Sequence, residues 1–298
     1  MQKVIVVCGG DSEERAISLR SGQSVAEALS SKGYEVLVLD TTCRDEELKQ
    51  SDVVFPVLHG IGGEDGQFQA RLETLGINFV GSDSVSSRLC MDKAAYREAM
   101  IAAGLTMPEG ETVNKDGYFA SKLSQLPHVL KPIQGGSTID TFVIRNLKQR
   151  KIKDIEEAFE RYEHMLLEEL ITGPEITVGV LDELALPVIE IIPPQGEEFS
   201  CENKYNGKTQ ELCPPIHISQ AVQGKSQKLA LQIHKAAGCR DFSRTDFMIS
   251  LDEKLYLLET NTIPGMTDQS LYPKMAAVAG LDFPSLVDRL VRLACKRA

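Results

Sequence analysis

The 298-residue chain lacks any stripe of basic residues. Its 32 Lys and Arg are outnumbered by 43 Asp and Glu, for a formal net charge of −11. Binding along a phosphate backbone needs clustered positive charge, so nucleic acid is excluded as the main partner. A small anionic ligand is not excluded, because it needs only a local positive pocket. No CxxC pair occurs among the seven cysteines. An odd, dispersed set reads as reduced thiols of a cytoplasmic protein, most of them acting as small buried hydrophobes. No basic-then-apolar leader precedes the apolar strand at Lys3 to Val7, so no export signal is expected. No apolar run is long enough to cross a bilayer, and no internal repeat or low-complexity segment is visible. The expectation is a soluble, cytoplasmic protein of two or three domains that buries ordinary cores.

What is present is an alternation of strand and helix patterns. Val4 to Val7, Val36 to Leu39 and Val53 to Leu58 read as strands. Between the first two lies a helical stripe of Val25, Ala28 and Leu29, with Gly33 where a C-terminal cap belongs. Strands alternating with helices predict a mostly parallel sheet. Asp92 is placed to cap a helix from Lys93 to Ala103, stopped by Gly104. Val129 to Pro132 then reads as a strand entering a Gly-rich turn, and a helix from about Ile152 to Tyr162 precedes a strand at Met165 to Leu167. Further strands are expected at Ile176 to Leu181 and Val188 to Ile192. Residues 196–215 read as a long loop, a length that often marks function. A helix with Leu229, Ile233 and Ala237 follows, and the tail from Leu281 is amphipathic. The fold class is therefore α/β and α+β, divided as 1–90, 91–172 and 173–298.

The strongest physical argument lies between Arg244 and Asn261. Two apolar strands flank Leu251-Asp252-Glu253-Lys254. A hairpin centred on Asp252-Glu253 sets Asp246 opposite Glu259 and Arg244 opposite Asn261. Side chains alternate along strands, so these four share one face; Phe247, Ile249, Tyr256 and Leu258 are expected on the other. Two opposed carboxylates repel unless a counter-charge lies between them. Mg²⁺ supplies one, binding through one or two carboxylates and nucleotide phosphates, and an Asn carbonyl oxygen suits it as well. Arg244 beside such a metal would stabilise developing negative charge. The plainer alternative is a solvated polar face.

The glycine-rich segments are individually weaker signals. Gly9-Gly10 lacks the G-x-G-x-x-G fingerprint, which disfavours a nicotinamide oxidoreductase, and Ser12-Glu13-Glu14 suits an ammonium better than a pyrophosphate. His59 to Gly66 follows a buried-looking strand, where parallel sheets place ligands. Lys131 leads into Gly135-Gly136-Ser137-Thr138, which is able to grip phosphate without being a P-loop.

Taken in order, these segments resemble the D-alanine–D-alanine ligases of the ATP-grasp superfamily. The resemblance runs from Val4 to about Gly280. It includes Gly9 to Arg15, His59 to Gly66, Met91-Asp92-Lys93, Gly136-Ser137-Thr138, Glu168 to Glu175, Lys204-Tyr205, Arg244 to Phe247, and Leu258 to Thr267 with Ser270-Leu271. It implies a three-domain architecture with an N-terminal parallel-sheet domain, and ATP between the other two. By motif position, Lys93 and Lys131 would bind ATP phosphates, Glu168, Glu169 and Ile171 the adenine, and Glu175 the ribose, while Lys204 would contact both ATP and substrate. Asp246, Glu259 and Asn261 would hold two Mg²⁺ ions, with Mn²⁺ as an alternative. Glu14 would take the ammonium of the first D-alanine, with His59 close by. Arg244 and the Gly265 N–H would face the oxyanion, and Ser270 and Leu271 the second substrate's carboxylate. Lys204 and Tyr205 would come from the 196–215 lid, with Tyr205 linked to Ser137 and Glu14. The implied activity is ATP-dependent joining of two D-alanines through a D-alanyl phosphate, for cell-wall peptidoglycan, by a homodimer.

The sequence departs from the pattern at Asp140, where the family usually has Gly, and at Ser200 to Asn203 before the Lys-Tyr pair. A carboxylate at 140 should repel the triphosphate unless it points away. The rival readings are a D-alanine–D-lactate or D-serine ligase, against which Tyr205 argues, and a degenerate ATP-binding protein.

Overall fold

A computed structural model describes residues 2–136, 140–194 and 208–297. The first sheet is built from β1 (Lys3–Cys8), β2 (Glu35–Leu39) and β3 (Val53–Val57), in the order β2-β1-β3. Both pairings are parallel, as the strand–helix alternation predicts. The helix Arg15–Ser31 returns the chain from β1 to β2, burying Val25, Ala28 and Leu29. β1 and β3 are buried along their lengths, whereas β2 is an edge with Leu37 and Val38 about 40% exposed.

The second sheet contains β4 (Gly110–Val113), β5 (His128–Pro132), β6 (Phe142–Ile144) and β7 (Met165–Glu169), antiparallel in the order β4-β7-β5-β6. The helix Ile152–Arg161 covers it with Ile155, Ala158 and Phe159. The third sheet contains β8 (Glu175–Leu181), β9 (Leu184–Ala185), β10 (Ile189–Ile192), β11 (Gln210–Leu212), β12 (Phe242–Ile249) and β13 (Leu255–Asn261). β11 lies within the span expected to be loop: it pairs antiparallel with β10, so the described end of that segment is sheet edge.

Three packing decisions position the site. Asp92 caps the helix Lys93–Ala102 by accepting from the N–H groups of Ala94 and Ala95, worth about 1 kcal/mol. That helix buries Tyr96 and Met100 in the core of the third sheet, beside Ile176, Phe247 and Leu257. The Tyr96 hydroxyl lies 2.6 Å from Thr260 Oγ1. Finally, the amphipathic helix Phe283–Lys296 buries Leu286, Val287, Leu290 and Val291 in one core with Val4, Val6 and Leu29. None of the described helices is long and apolar enough to cross a membrane. The six described cysteines are free thiols.

Candidate active site

The β12–β13 hairpin brings the expected four side chains together. Arg244 lies opposite Asn261 and Asp246 opposite Glu259. The route to that register differs from the simple hairpin. The tip pairs Ile249 with Leu255 and Phe247 with Leu257, one residue out of step with the site, and a bulge at Leu258 restores the register. The core partners of Phe247 and Ile249 are therefore Leu257 and Leu255, not Tyr256 and Leu258. A bulge re-aims side chains where pairing is interrupted; here it turns Leu258 toward a cavity that Met248 and Glu259 also line.

Arg244 holds Asp246 bidentately, with Nε 3.0 Å from Oδ1 and Nη2 2.9 Å from Oδ2. Thr177 on the neighbouring strand donates to Asp246 Oδ1 at 2.5 Å. Burial works against the guanidinium's charge, but Asp246, Glu259 and Glu64 outweigh it and raise its pKa. The Oδ1 of Asn261 is buried without a hydrogen-bond partner. An orphaned amide oxygen costs about 1–3 kcal/mol. Beside two opposed carboxylates it forms a hard-oxygen donor set that fits Mg²⁺ completed by water and phosphate oxygens. Among the described residues no cluster of three or more His, Cys, Asp or Glu could hold a metal alone, so such a site depends on the amide and on oxygens from outside the chain.

Two cavities meet at Glu259. The first, about 840 Å³, is lined by Glu14, His59, Arg244, Asn261, Gly265, Ser270 and Leu271. The second, about 680 Å³, is lined by Lys131, Glu168, Glu169, Ile171, Glu175 and Asp246. Glu14, Lys93 and Glu259 border both. Every described residue assigned to the site from sequence thus faces one cavity or the other; Ser137, Lys204 and Tyr205 lie outside the described residues.

Lys93 and Lys131 enter from different elements. Lys131 Nζ lies 2.6 Å from Glu168 Oε2, and Arg97 reaches Glu168 Oε1 at 3.5 Å. Burial alone would lower the Lys131 pKa, but Glu168 and Glu259 raise it, so it stays charged. Lys93 donates to the Gly135 carbonyl at 2.6 Å, fixing the helix start against the Gly-rich turn; burial lowers its pKa while Glu259 opposes that. The Glu168 carboxylate is thus a tether for Lys131, a role that its sequence position does not disclose.

Glu14 sits at the start of the first helix, where two glycine turns close on it. A Cβ at Gly60 would lie 3.2 Å from Glu14 Oε2, and one at Gly136 3.3 Å. Gly60 also has φ +72, so a side chain there is both strained and crowded. His59 is buried and its Nε2 has no partner. Burial lowers its pKa against the opposing pull of Glu14, so the ring is neutral.

Glu64 is the participant that sequence reasoning passed over, although it lies inside the His59–Gly66 segment. Its Oε2 accepts from the Gly60 N–H at 2.8 Å and its side chain lines the first cavity. Burial and the neighbouring Glu14 push it up to about 8. A raised carboxyl pKa favours the folded state at low pH, and that stability is lost as pH rises from the usual carboxyl range through about 8. Metal-free protein is expected to lose on the order of 4 kcal/mol relative to Glu64→Gln between pH 5 and pH 9. Denaturant midpoints measure this, and parallel curves for the two proteins would refute it.

Asp140 does not present a bare charge. Its carboxylate lies 2.6 Å from Arg161 Nη2 and accepts from the Tyr162 hydroxyl at 2.9 Å. Its φ is +51, in the left-handed region that favours glycine and that Asp tolerates. Asp140 lines the second cavity, but its charge is paired with Arg161, which weakens the expected repulsion. Asp140→Gly is expected to leave the ATP KM unchanged or higher; a KM several-fold lower would restore the repulsion view.

Comparison with known proteins bears on this geometry. The family model described as D-ala D-ala ligase C-terminus matches residues 101–292, and that for the N-terminus matches residues 38–82. The chain belongs to the D-alanine–D-alanine ligase family. A ligase of this name from Syntrophotalea carbinolica is 37% identical, with 97% of this chain and 95% of that protein covered. One from Aquifex aeolicus is 36% identical over 97% and 99%. Among solved structures, the Bacillus anthracis D-alanine–D-alanine ligase complexed with ATP has a TM-score of 0.84 at 29% identity, covering 100% of this chain and 98% of that one. The VanG D-Ala:D-Ser ligase from Enterococcus faecalis has a TM-score of 0.82 at 28% identity, covering 98% and 99%. The ligase fold thus extends over the whole chain, both cavities included.

Proposed function

We propose that the two cavities form one reaction chamber in which ATP drives the joining of two D-alanines to D-alanyl-D-alanine. The carrying observation is the seam between them: opposed Asp246 and Glu259, the orphaned Asn261 oxygen, and Arg244 directed across the same face. ATP occupies the second cavity, with Lys93 and Lys131 on its phosphates, Glu168 to Ile171 at the adenine and Glu175 at the ribose. Two Mg²⁺ ions held by Asp246, Glu259 and Asn261 supply charge screening of the triphosphate when bound. Functionally the chain divides as 1–90, 91–172 and 173–298, with the helix Lys93–Ala102 as the joint between the last two.

Glu14 holds the first D-alanine's ammonium, with neutral His59 beside it. The substrate carboxylate attacks the γ-phosphate, releasing ADP and forming D-alanyl phosphate. The amine of the second D-alanine, its carboxylate received at Ser270 and Leu271, then attacks the acyl carbon and phosphate leaves. Arg244 and the Gly265 N–H stabilise the tetrahedral oxyanion. Lys204, Tyr205 and Ser137 complete the site by family position, shielding the acyl phosphate from water. The reading includes a cytoplasmic homodimer serving peptidoglycan synthesis.

The test is phosphate release from ATP with D-alanine as sole amino acid, with products separated when D-lactate or D-serine competes. D-alanine-dependent phosphate and a single dipeptide product are expected. No D-alanine dependence would refute the reading, and a mixed product dominated by depsipeptide or D-alanyl-D-serine would move it to the related ligases. The pairing of Asp140 with Arg161 weakens the motive for a degenerate, inactive protein.

A further inference from the structure

We infer that Glu211 and Lys274 form a charge-compensated pair that sets the affinity of the first cavity for the second amino acid. Lys274 Nζ lies 2.7 Å from Glu211 Oε2, and both residues line the cavity that contains Ser270 and Leu271. The side chains are 35% and 15% exposed, so each charge is partly withdrawn from water. Lys274 stands on the helix Leu271–Val278, one turn beyond Ser270, to whose carbonyl its N–H donates at 3.2 Å. Glu211 comes from β11, the sheet edge, opposite Ile191. The pair therefore joins the edge strand to the first turn of the helix that carries the acceptor contacts.

The inference rests on the assignment of Ser270 and Leu271 to the acceptor's carboxylate. An incoming D-alanine brings an anionic carboxylate to this end of the cavity. Paired, Glu211 and Lys274 present no net charge to it. With the ammonium removed, the Glu211 carboxylate is left facing the substrate's own and repels it. With the Glu211 charge removed, an unpaired ammonium attracts the carboxylate. Attraction of that kind does not require an amine, so it also draws in 2-hydroxy acids. A purely mechanical tie between strand and helix behaves otherwise: breaking it from either side harms the site in the same direction.

The experiment compares wild type with Lys274→Met, Glu211→Gln, the double variant and Ser270→Ala. It resolves the two half-saturation constants for D-alanine in the curve of phosphate release. Lys274→Met is expected to raise the acceptor constant about three- to fivefold, the scale of a partly screened charge. Glu211→Gln is expected to lower it and to increase incorporation of D-lactate, while the double variant returns within about twofold of wild type. The donor and ATP constants should not move. Single variants that shift the acceptor constant in the same direction, or that leave it unmoved, overturn the inference. If Ser270→Ala also leaves that constant unmoved, the acceptor assignment falls with it; if Ser270→Ala raises it, the assignment stands and only the role of the pair is lost.

Discussion

Arg244→Ala is expected to slow turnover by about 10²–10³-fold, on the order of 3 kcal/mol of transition-state stabilisation, the scale of a lost oxyanion donor. The guanidinium is buried and already oriented by two hydrogen bonds to Asp246, so in the proposed role it would stabilise charge without reorganising. The ATP KM should change far less than kcat, because the group acts on charge that develops during the reaction. A folding cost is also expected, since Asp246 loses its bidentate partner. Arg244→Lys keeps the charge but not the planar fork, and should fall between the two. Single-turnover measurements separate chemistry from binding; an alanine variant with near-normal turnover would remove Arg244 from the reaction.

Lys131→Met should be nearly as damaging, mostly through stability. Glu168 is only 3% exposed and gives its Oε2 to Lys131. Removing one partner of a buried pair typically costs about 3–5 kcal/mol, because the remaining charge is stranded. Arg97, 3.5 Å from the other carboxylate oxygen, should hold the loss near the lower end. The ATP KM is expected to rise about tenfold or more, equivalent to about 1.4 kcal/mol of lost phosphate binding. Lys131→Met/Glu168→Gln should recover much of the stability and none of the ATP affinity. Recovery of both, or of neither, would contradict the division between tether and ligand.

Much of the fold is written in local patterns. Apolar runs at Val4, Val53 and Met165 became buried strands, and Asp92 became the cap its position predicts. The hairpin face was legible because strand periodicity is strict, yet its apolar side was not. The Leu258 bulge is an accommodation to the whole sheet, with no local signal in a stretch of four apolar residues. β11 was hidden for a similar reason: Gln210-Glu211-Leu212 has no periodicity of its own and is strand only because β10 offers an edge. In the site, residue types and order pointed to a metal and a nucleotide, whereas the tethers did not appear. Glu168 with Lys131, and Asp140 with Arg161, are pairings across the fold, and nothing in either local segment chooses the partner.

The core that unites Val4, Val6 and Leu29 with Leu286, Leu290 and Val291 bears on how the chain is made. During synthesis the first sheet emerges early, long before the helix Phe283–Lys296 that finishes its core. Until then the face that carries Val4 and Val6 is covered only in part, by Val25 and Leu29 of the helix Arg15–Ser31. Arg297, which donates to the Phe79 carbonyl at 2.8 Å and pairs with Asp241, ties the far end of that helix to the N-terminal part of the chain. A nascent chain interrupted before that helix would therefore carry an incompletely wrapped N-terminal segment, the kind of surface that chaperones engage.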